Sequence, residues 1–242
     1  MILQQSTWSD VETYLTRSKG LIVPIGSTEQ HGPNGPIGTD AICPEIVAMG
    51  VEAADDVLVA PTLAYGMAQH HLAFPGTVSL KPATLLLMLK DVISSLSRHG
   101  FERIYFLNGH GGNIATITAA FSEVYAELGS EAPRLKLQNW FLGPRVRKLS
   151  KELYGDSEGS HATPSEISLA WHAWPHAVKD VEISPKIAPR GVIRDAEDYR
   201  RQFPDGRIGS DPSLSTIEHG ARIYEASVKD IREDYSAFLR GV

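Results

Sequence analysis

Two carboxylates and an imidazole fall within one short stretch near the N-terminus, at Glu29, His31 and Asp40. These residue types bind divalent metal ions, and a metal that activates water needs a few such ligands together with an open coordination position. The stretch follows the apolar run Leu21–Gly26, whose length and β-branched residues indicate a buried strand. Because ligands of open α/β sheets bind past the carboxyl ends of the strands, the spacing predicts a metal site at that edge.

A second loop of the same kind lies farther along the chain. The sequence Asn-Gly-His-Gly-Gly-Asn at 108–113 follows the strand-like run Arg103–Leu107, so His110 also comes just after a strand. Asp40 has two oxygens and could bridge two ions about 3.5–4 Å apart. The glycines could instead cradle a phosphate, but the spacings of the P-loop and of G-x-G-x-x-G are absent. We expect this loop to shape a metal pocket and to offer backbone amides to a developing oxyanion.

A third group of candidate residues lies at Ser160–Glu166. Thr163 and Glu166 have the spacing of a helix capping box and Pro164 suits a first helical position, so capping by itself would explain Glu166. Alternatively, Glu166 binds a metal or supports a ligand, and His161 is the acid or base that hands a proton to a leaving nitrogen. The residues alone leave both interpretations open.

The elements that must position these residues alternate between strand-like and helix-like patterns, which predicts an α/β fold with a mostly parallel sheet. We expect a single domain over 1–242, because neither an internal repeat nor a shift in composition divides the chain. The segment Ser184–Ser215 is polar and rich in turn residues, which predicts a surface excursion. Strands are predicted at Leu21–Gly26, Val57–Leu63, Arg103–Leu107 and Arg134–Trp140, and helices at Trp8–Thr16, Pro44–Ala54, Pro82–Arg98, from the glycine loop to Leu128, at Pro144–Tyr154, Pro164–Trp174 and Thr216–Leu239.

Composition narrows the possible partners. With 23 Lys and Arg against 29 Asp and Glu, the net charge of −6 and the lack of a basic stripe argue against nucleic acid and anionic membranes. The lone cysteine, Cys43, excludes an internal disulfide. A secretory leader pattern is absent from the N-terminus, and no apolar stretch approaches the roughly 20 residues that cross a bilayer. We expect a cytoplasmic protein that acts on a small molecule.

Four motifs together resemble the creatininase (creatinine amidohydrolase) family, and the resemblance extends from about residue 7 to about residue 235. It implies a three-layer α/β/α sandwich, a homo-oligomer that is often a hexamer, and two divalent metal ions per chain, zinc first with manganese or iron as alternatives. The implied reaction is hydrolysis of a non-peptide C–N bond in a cyclic amide or formamide, with creatinine to creatine as the reference. The motifs are Pro24–Pro33, Gly38–Asp40, Phe74–Thr77 and Asn108–Asn113.

The resemblance also implies roles for individual residues. Glu29 and His110 would hold one ion, His31 the other, and Asp40 would bridge them. His161 would carry the catalytic proton.

Pocket residues follow from the same resemblance. Gly111 and Gly112 would line the pocket, and Trp140 matches a pocket tryptophan. The loops near Tyr65 and His71 are expected to contact substrate.

Two departures bear on the substrate. Creatinine-hydrolysing members have a glutamate that binds the second metal where Gly112 stands, and a tryptophan that covers the substrate near Ser157. Both departures argue against creatinine itself. A formamide deformylase or a peptide-processing relative is the alternative within the family, and a catalytically silent binding or assembly subunit, or a nucleotide-binding α/β protein, is the alternative outside it.

Overall fold

Three parallel strands form the centre of the molecule. In the computed structural model, which describes residues 1–241, the sheet order is β1 (Gly20–Ile25), β2 (Arg103–Asn108) and β3 (Arg134–Asn139). β1 pairs with β2 along its whole length, and β2 pairs in the same way with β3. All six residues of β1 are buried, as expected for a parallel strand that is covered on both faces.

Eight α-helices surround the sheet within the described residues, and they are introduced here in chain order. None of them combines the length and apolar character that a membrane-spanning segment needs. Their bounds are α1 Trp8–Leu15, α2 Thr39–Asp55, α3 Pro82–Arg98, α4 Ile114–Leu128, α5 Pro144–Tyr154, α6 Pro164–Ala173, α7 Ala196–Gln202 and α8 Ile217–Arg240.

The helices form a layer on each face of the sheet. Ile22 and Leu107 project to one face and pack against α2, α5, α6 and α8, while Val23 and Phe106 project to the other and pack against α1, α3 and α4. Successive side chains of a strand point to opposite faces, so each strand contributes to both cores. The prediction of a three-layer α/β/α sandwich is confirmed.

The predicted strand Val57–Leu63 is wrong as a regular element. The segment pairs in parallel with β1 only at isolated bridges, which involve Val59 and Leu63. Pro61 has no backbone N–H to donate, so it interrupts the ladder between these bridges.

α2 begins five residues before the predicted start at Pro44, and this change moves Asp40 from a loop to the first turn of a helix. Pro44 therefore lies inside the helix, where it cannot donate to the carbonyl of Asp40. The Asp40 carbonyl lies against Gly26 and Gly109, the residues that follow β1 and β2, and a Cβ at either glycine would overlap it. These glycines let the first turn of α2 reach the carboxyl edge of the sheet.

The segment Ser184–Ser215 is more ordered than the prediction of a surface excursion. It contains α7, from which Tyr199 packs with Phe203 and Phe74 in a small separate core. Arg207 is fully buried, and its guanidinium binds Asp205 and three backbone carbonyls. The buried charge is tolerated because the folded segment itself supplies these partners, at Pro185, Lys186, Asp205 and Ser210.

Candidate metal centre

The candidate residues meet at the carboxyl edge of β1 and β2. Glu29 and His31 lie in the loop after β1, His110 in the loop after β2, and Asp40 between them on α2. All four residues are at least 95% buried. Parallel strands end at the same edge of a sheet, which is why two loops about eighty residues apart converge.

Asp40 lies between two imidazoles. Its Oδ1 is 3.1 Å from Nε2 of His31, and its Oδ2 is 2.8 Å from Nδ1 of His110. Each carboxylate oxygen thus faces a different histidine, as a bridging carboxylate requires.

Glu29 is surrounded by imidazole nitrogens. Its Oε1 lies 3.2 Å from Nε2 of His71 and 3.8 Å from Nδ1 of His161, while its Oε2 lies 3.3 Å from Nε2 of His110. None of these contacts has hydrogen-bond geometry, and both Glu29 oxygens are buried without a hydrogen-bond partner, as is Oδ2 of Asp40. Buried carboxylate oxygens are costly when they are left unpaired, so these atoms need a cation.

Backbone carbonyls orient the candidate histidines. Nδ1 of His31 lies 3.1 Å from the carbonyl oxygen of Glu29, and Nε2 of His110 lies 3.0 Å from that of Met67. When these nitrogens carry the proton and donate it, the other nitrogen of each ring is left with its lone pair toward Asp40. Second partners of this kind commonly fix metal-binding histidines.

The buried charges shift one another's pKa values. Burial by itself would lower the pKa of His31, but the Asp40 carboxylate outweighs it and raises this pKa to about 10. Burial likewise opposes the charged form of His110, whose pKa the Glu29 and Asp40 carboxylates raise to about 9. The pKa of Asp40 lies well below its usual range because the two histidines overcome the effect of burial. Burial raises the pKa of Glu29.

The position of Glu166 is compatible with both interpretations that the sequence left open. Its Oε1 accepts a hydrogen bond of 2.6 Å from the backbone N–H of Thr163, which completes the predicted capping box of α6. The same Oε1 lies 3.9 Å from Nε2 of His31. Burial raises the pKa of Glu166 to about 7.

Three groups of side chains have ligand atoms within 4.8 Å of one another. Asp40 belongs to two of them, and Glu29 also belongs to two. The groups are Glu29 with Asp40 and His110, His31 with Asp40 and Glu166, and Glu29 with His31 and His161.

His161 stands beside the cluster, and burial favours its uncharged form. Its Nε2 lies 2.9 Å from both the carbonyl oxygen and the side-chain nitrogen of Gln30, and in the tautomer that donates to the carbonyl the lone pair of Nδ1 points toward Glu29. Burial, reinforced by the neighbouring His71 and His31, holds the pKa of His161 well below its usual value. The ring is therefore neutral at rest, and in this tautomer Nδ1 is its unprotonated nitrogen.

Gln30 is a residue that sequence reasoning missed. Its side-chain nitrogen lies 2.9 Å from Nδ1 of His71 and 2.9 Å from the carbonyl oxygen of Gly206, and its Oε1 accepts from the backbone N–H of Gly32. The hydroxyl of Tyr199 donates to the same Gly206 carbonyl. The position of Gln30 between Glu29 and His31 was the one sequence signal for a role in the site. Its partners His71 and Gly206 could not be predicted, because they are distant in sequence.

A cavity of about 610 Å³ opens onto the cluster. Gly111, Gly112, His71 and Trp140 contribute to its lining, as predicted by position, although His71 is buried and lies against Glu29. Tyr65 does not line the cavity and is half exposed. The expected contact between the Tyr65 loop and substrate stays a prediction.

Gly112 has no room for a side chain. A Cβ there would overlap Nε2 of His110 and the carbonyl oxygen of Met67, whereas a Cβ at Gly111 would meet nothing within 4 Å. A glutamate at Gly112 is thus incompatible with this arrangement of His110, and Glu166 faces His31 instead.

A three-layer α/β/α protein with clustered carboxylates and imidazoles at the ends of parallel strands belongs to the class of α/β enzymes with a buried polar centre. Comparison with known proteins identifies the family. Residues 4–234 match the family model described as creatininase, creatinine amidohydrolase. The chain belongs to the creatininase family and is a hydrolase of that type.

Individual relatives differ in the activities that their names describe. Creatinine amidohydrolase from Pseudomonas putida is 34% identical over 243 aligned positions, which cover 94% of this chain and 93% of that protein. The mycofactocin precursor peptide peptidase of Mycolicibacterium smegmatis is 33% identical over 217 positions, covering 86% and 81%. A crystal structure of creatinine amidohydrolase superposes with a TM-score of 0.86 at 26% identity, covering 98% of this chain and 97% of that one.

Proposed function

We propose that this protein is a metal-dependent hydrolase that cleaves a C–N bond in an amide larger than creatinine. The observation that carries the proposal is the set of buried carboxylate oxygens on Glu29 and Asp40 that lack a hydrogen-bond partner. They lie among imidazoles whose spacing suits metal ligands. Divalent cations would neutralise this charge and supply the missing contacts.

Two groups of ligands share one carboxylate in this proposal. Glu29, Asp40 and His110 would hold one ion, and His31, Asp40 and Glu166 would hold the other. Glu166 thereby takes the place of the family ligand that Gly112 cannot supply. When bound, such ions lower the pKa of water toward neutrality and polarise a carbonyl group.

Zinc is the first candidate metal, with manganese or iron as alternatives. The ligands are nitrogen and oxygen atoms, which all three metals accept. Similar solved structures include a mutant creatininase described as Zn–Zn type and a creatininase described by its Mn, both at 25% identity and a TM-score of 0.85.

His161 would move the proton that the cleavage requires. Its Nδ1 faces Glu29 from the cavity wall, and its lowered pKa keeps the ring neutral at rest, so it would hold the proton released by the attacking water only briefly. It would then donate this proton to the departing nitrogen. A positioned acid or base of this kind contributes about 10²–10⁴-fold to the rate.

The cavity favours an open-chain amide over creatinine. Its volume of about 610 Å³ is typical of sites for drug-sized ligands, which are much larger than a single five-membered ring. Ser157 stands where creatinine-hydrolysing members carry a covering tryptophan, so the chain has no aromatic cover at that position. A peptide or formamide substrate fits this space, and a relative named as a peptide peptidase agrees with it.

Metal analysis and a substrate panel test the proposal. We expect purified protein to contain about two ions per chain, and to hydrolyse formylated dipeptides faster than creatinine after reconstitution with zinc or manganese. Hydrolysis should stop on chelation and return when metal is added. Metal-free protein that binds no added ion would refute the proposed centre, and faster turnover of creatinine would refute the proposed substrate.

A further inference from the structure

The outer wall of the cavity carries two cations that the proposed reaction does not use. Arg147 and Lys151 lie one turn apart on α5, and both line the cavity along with Ser150. Residues three and four apart share one face of a helix, so the two side chains present their charges together.

No described residue pairs with either cation. Neither side chain takes part in an ion pair or a side-chain hydrogen bond within residues 1–241. Arg145 on the same helix contrasts with them, because it binds the carboxylates of Asp230 and Glu233. Among the four cations of α5, Arg145 is the one with a counter-charge in residues 1–241; Lys148 is also unpaired but lies outside the cavity, so what distinguishes Arg147 and Lys151 is their place in the cavity wall.

The acids in the cavity are otherwise engaged. Glu29, Asp40 and Glu166 belong to the candidate metal groups. Glu158 accepts a hydrogen bond from the hydroxyl of Ser165 and forms no ion pair with α5. The protein as a whole carries a charge of −6, so two unpaired cations at a cavity mouth run against the general trend of its surface.

We propose that Arg147 and Lys151 form a subsite for an anionic group of the substrate, specifically the free C-terminal carboxylate of a short peptide. The inference rests on the proposed amide hydrolysis and adds the charge of the substrate to it. The guanidinium of Arg147 matches a carboxylate in two parallel hydrogen bonds, and the ammonium of Lys151 adds a flexible second donor. The amide to be cleaved would lie toward Asp40, at the inner end of the same cavity.

A matched pair of ligands tests this subsite. The probe is the dipeptide formyl-Ala-Ala with a free C-terminal carboxylate, compared with the same peptide as its C-terminal carboxamide. The wild-type protein should prefer the acid by about tenfold in kcat/KM, and the preference should shrink between 20 and about 500 mM salt because the cations are exposed. The double variant Arg147→Gln, Lys151→Gln should treat both peptides alike.

Lys148→Gln is the control, because Lys148 lies on the same helix but does not line the cavity. It should keep the wild-type preference. An equal preference for the acid in the double variant and in the wild type would overturn the subsite.

A binding measurement separates this inference from the proposed reaction. If neither peptide is hydrolysed by metal-loaded protein, the proposed function fails for these bonds, and calorimetric titration of the same two peptides then decides the subsite. Tighter binding of the acid that the double variant loses supports it. Equal binding of acid and carboxamide by the wild type refutes it.

Discussion

Replacing Glu166 with glutamine should separate the two halves of the proposed metal centre. The substitution removes one carboxylate from the group formed with His31 and Asp40, but leaves Glu29 and His110 untouched. Glutamine has the same shape and can still accept the hydrogen bond that caps α6. The change therefore tests metal binding without removing the helix cap.

The size of the zinc-induced rise in Tm follows from the linkage between zinc binding and folding. At a free zinc concentration of about 100 times Kd, one site stabilises the folded protein by about 2.7 kcal/mol, so two sites that are each filled to this degree give about 5.4 kcal/mol. A domain of this size gains about 2–4 °C in Tm per kcal/mol, which predicts a zinc-induced rise of about 11–22 °C for the wild type.

The variant should lose most of one site's contribution. If the lost carboxylate weakens that site by about 100-fold, its stabilisation falls to about 0.4 kcal/mol at the same zinc concentration. The difference of about 2.3 kcal/mol corresponds to about 5–9 °C in Tm.

Calorimetry and elemental analysis measure both consequences. Protein freed of metal by a chelator is titrated with zinc, and Tm and bound zinc are recorded for each variant. Glu166→Gln should bind one ion per chain tightly and only about half-fill the second site at that zinc concentration. Asp40→Asn should bind neither tightly because Asp40 belongs to both groups, and the exposed Glu152→Gln should match the wild type.

The outcome that refutes the reasoning is a Glu166→Gln protein with two tightly bound ions and the full zinc-induced rise in Tm. Glu166 would then be a helix cap only. A lower Tm of the metal-free variant would show only that the helix cap is weakened. The decisive quantity is therefore the difference in Tm between zinc-loaded and metal-free protein.

Three further predictions concern the same centre. His161→Ala should lower kcat by about 10²–10⁴-fold with metal content unchanged, as measured by steady-state kinetics with elemental analysis, and unaltered turnover would remove its proton-carrying role. Gly112→Ala should weaken zinc binding because its Cβ overlaps His110, while Gly111→Ala should keep the wild-type zinc content; equal zinc affinity in both variants would contradict the close packing. In metal-free protein the pKa values of His31 and His110 are raised to about 10 and about 9, so their protonated forms stabilise the fold fully below about pH 6.5. This stabilisation is lost as the pH rises through these values, so the Tm of metal-free protein should fall between about pH 6.5 and 10. The rise in Tm that zinc causes should grow over the same range, because zinc binds the deprotonated histidines. Scanning calorimetry across that range would contradict this if the Tm of metal-free protein were constant.

Much of the fold was predictable because its signals are local. The buried strand at Leu21–Gly26 and the long helix Pro82–Arg98 are recognisable from apolar spacing and from proline at the first helical position, and the structure places both within one residue of the prediction. The early start of α2 was not predictable, because Pro44 reads as a helix start and the close approach of Asp40 to Gly26 and Gly109 is a contact between distant segments.

The candidate site was also predictable only where its signals are local. The residue types of Glu29, His31 and Asp40 and their position after a strand already indicated a metal site. Both signals are local and can be recognised in the sequence alone. The homo-oligomer expected from the family resemblance stays a prediction.

Residue types and periodicity thus determined the class of fold and the kind of chemistry. The tertiary structure decided which atoms meet. It brings Glu166 within 3.9 Å of His31, closes the space at Gly112, and brings Gln30 against Gly206. These contacts join segments separated by tens to more than a hundred residues, and they depend on how the layers pack, which no local pattern specifies.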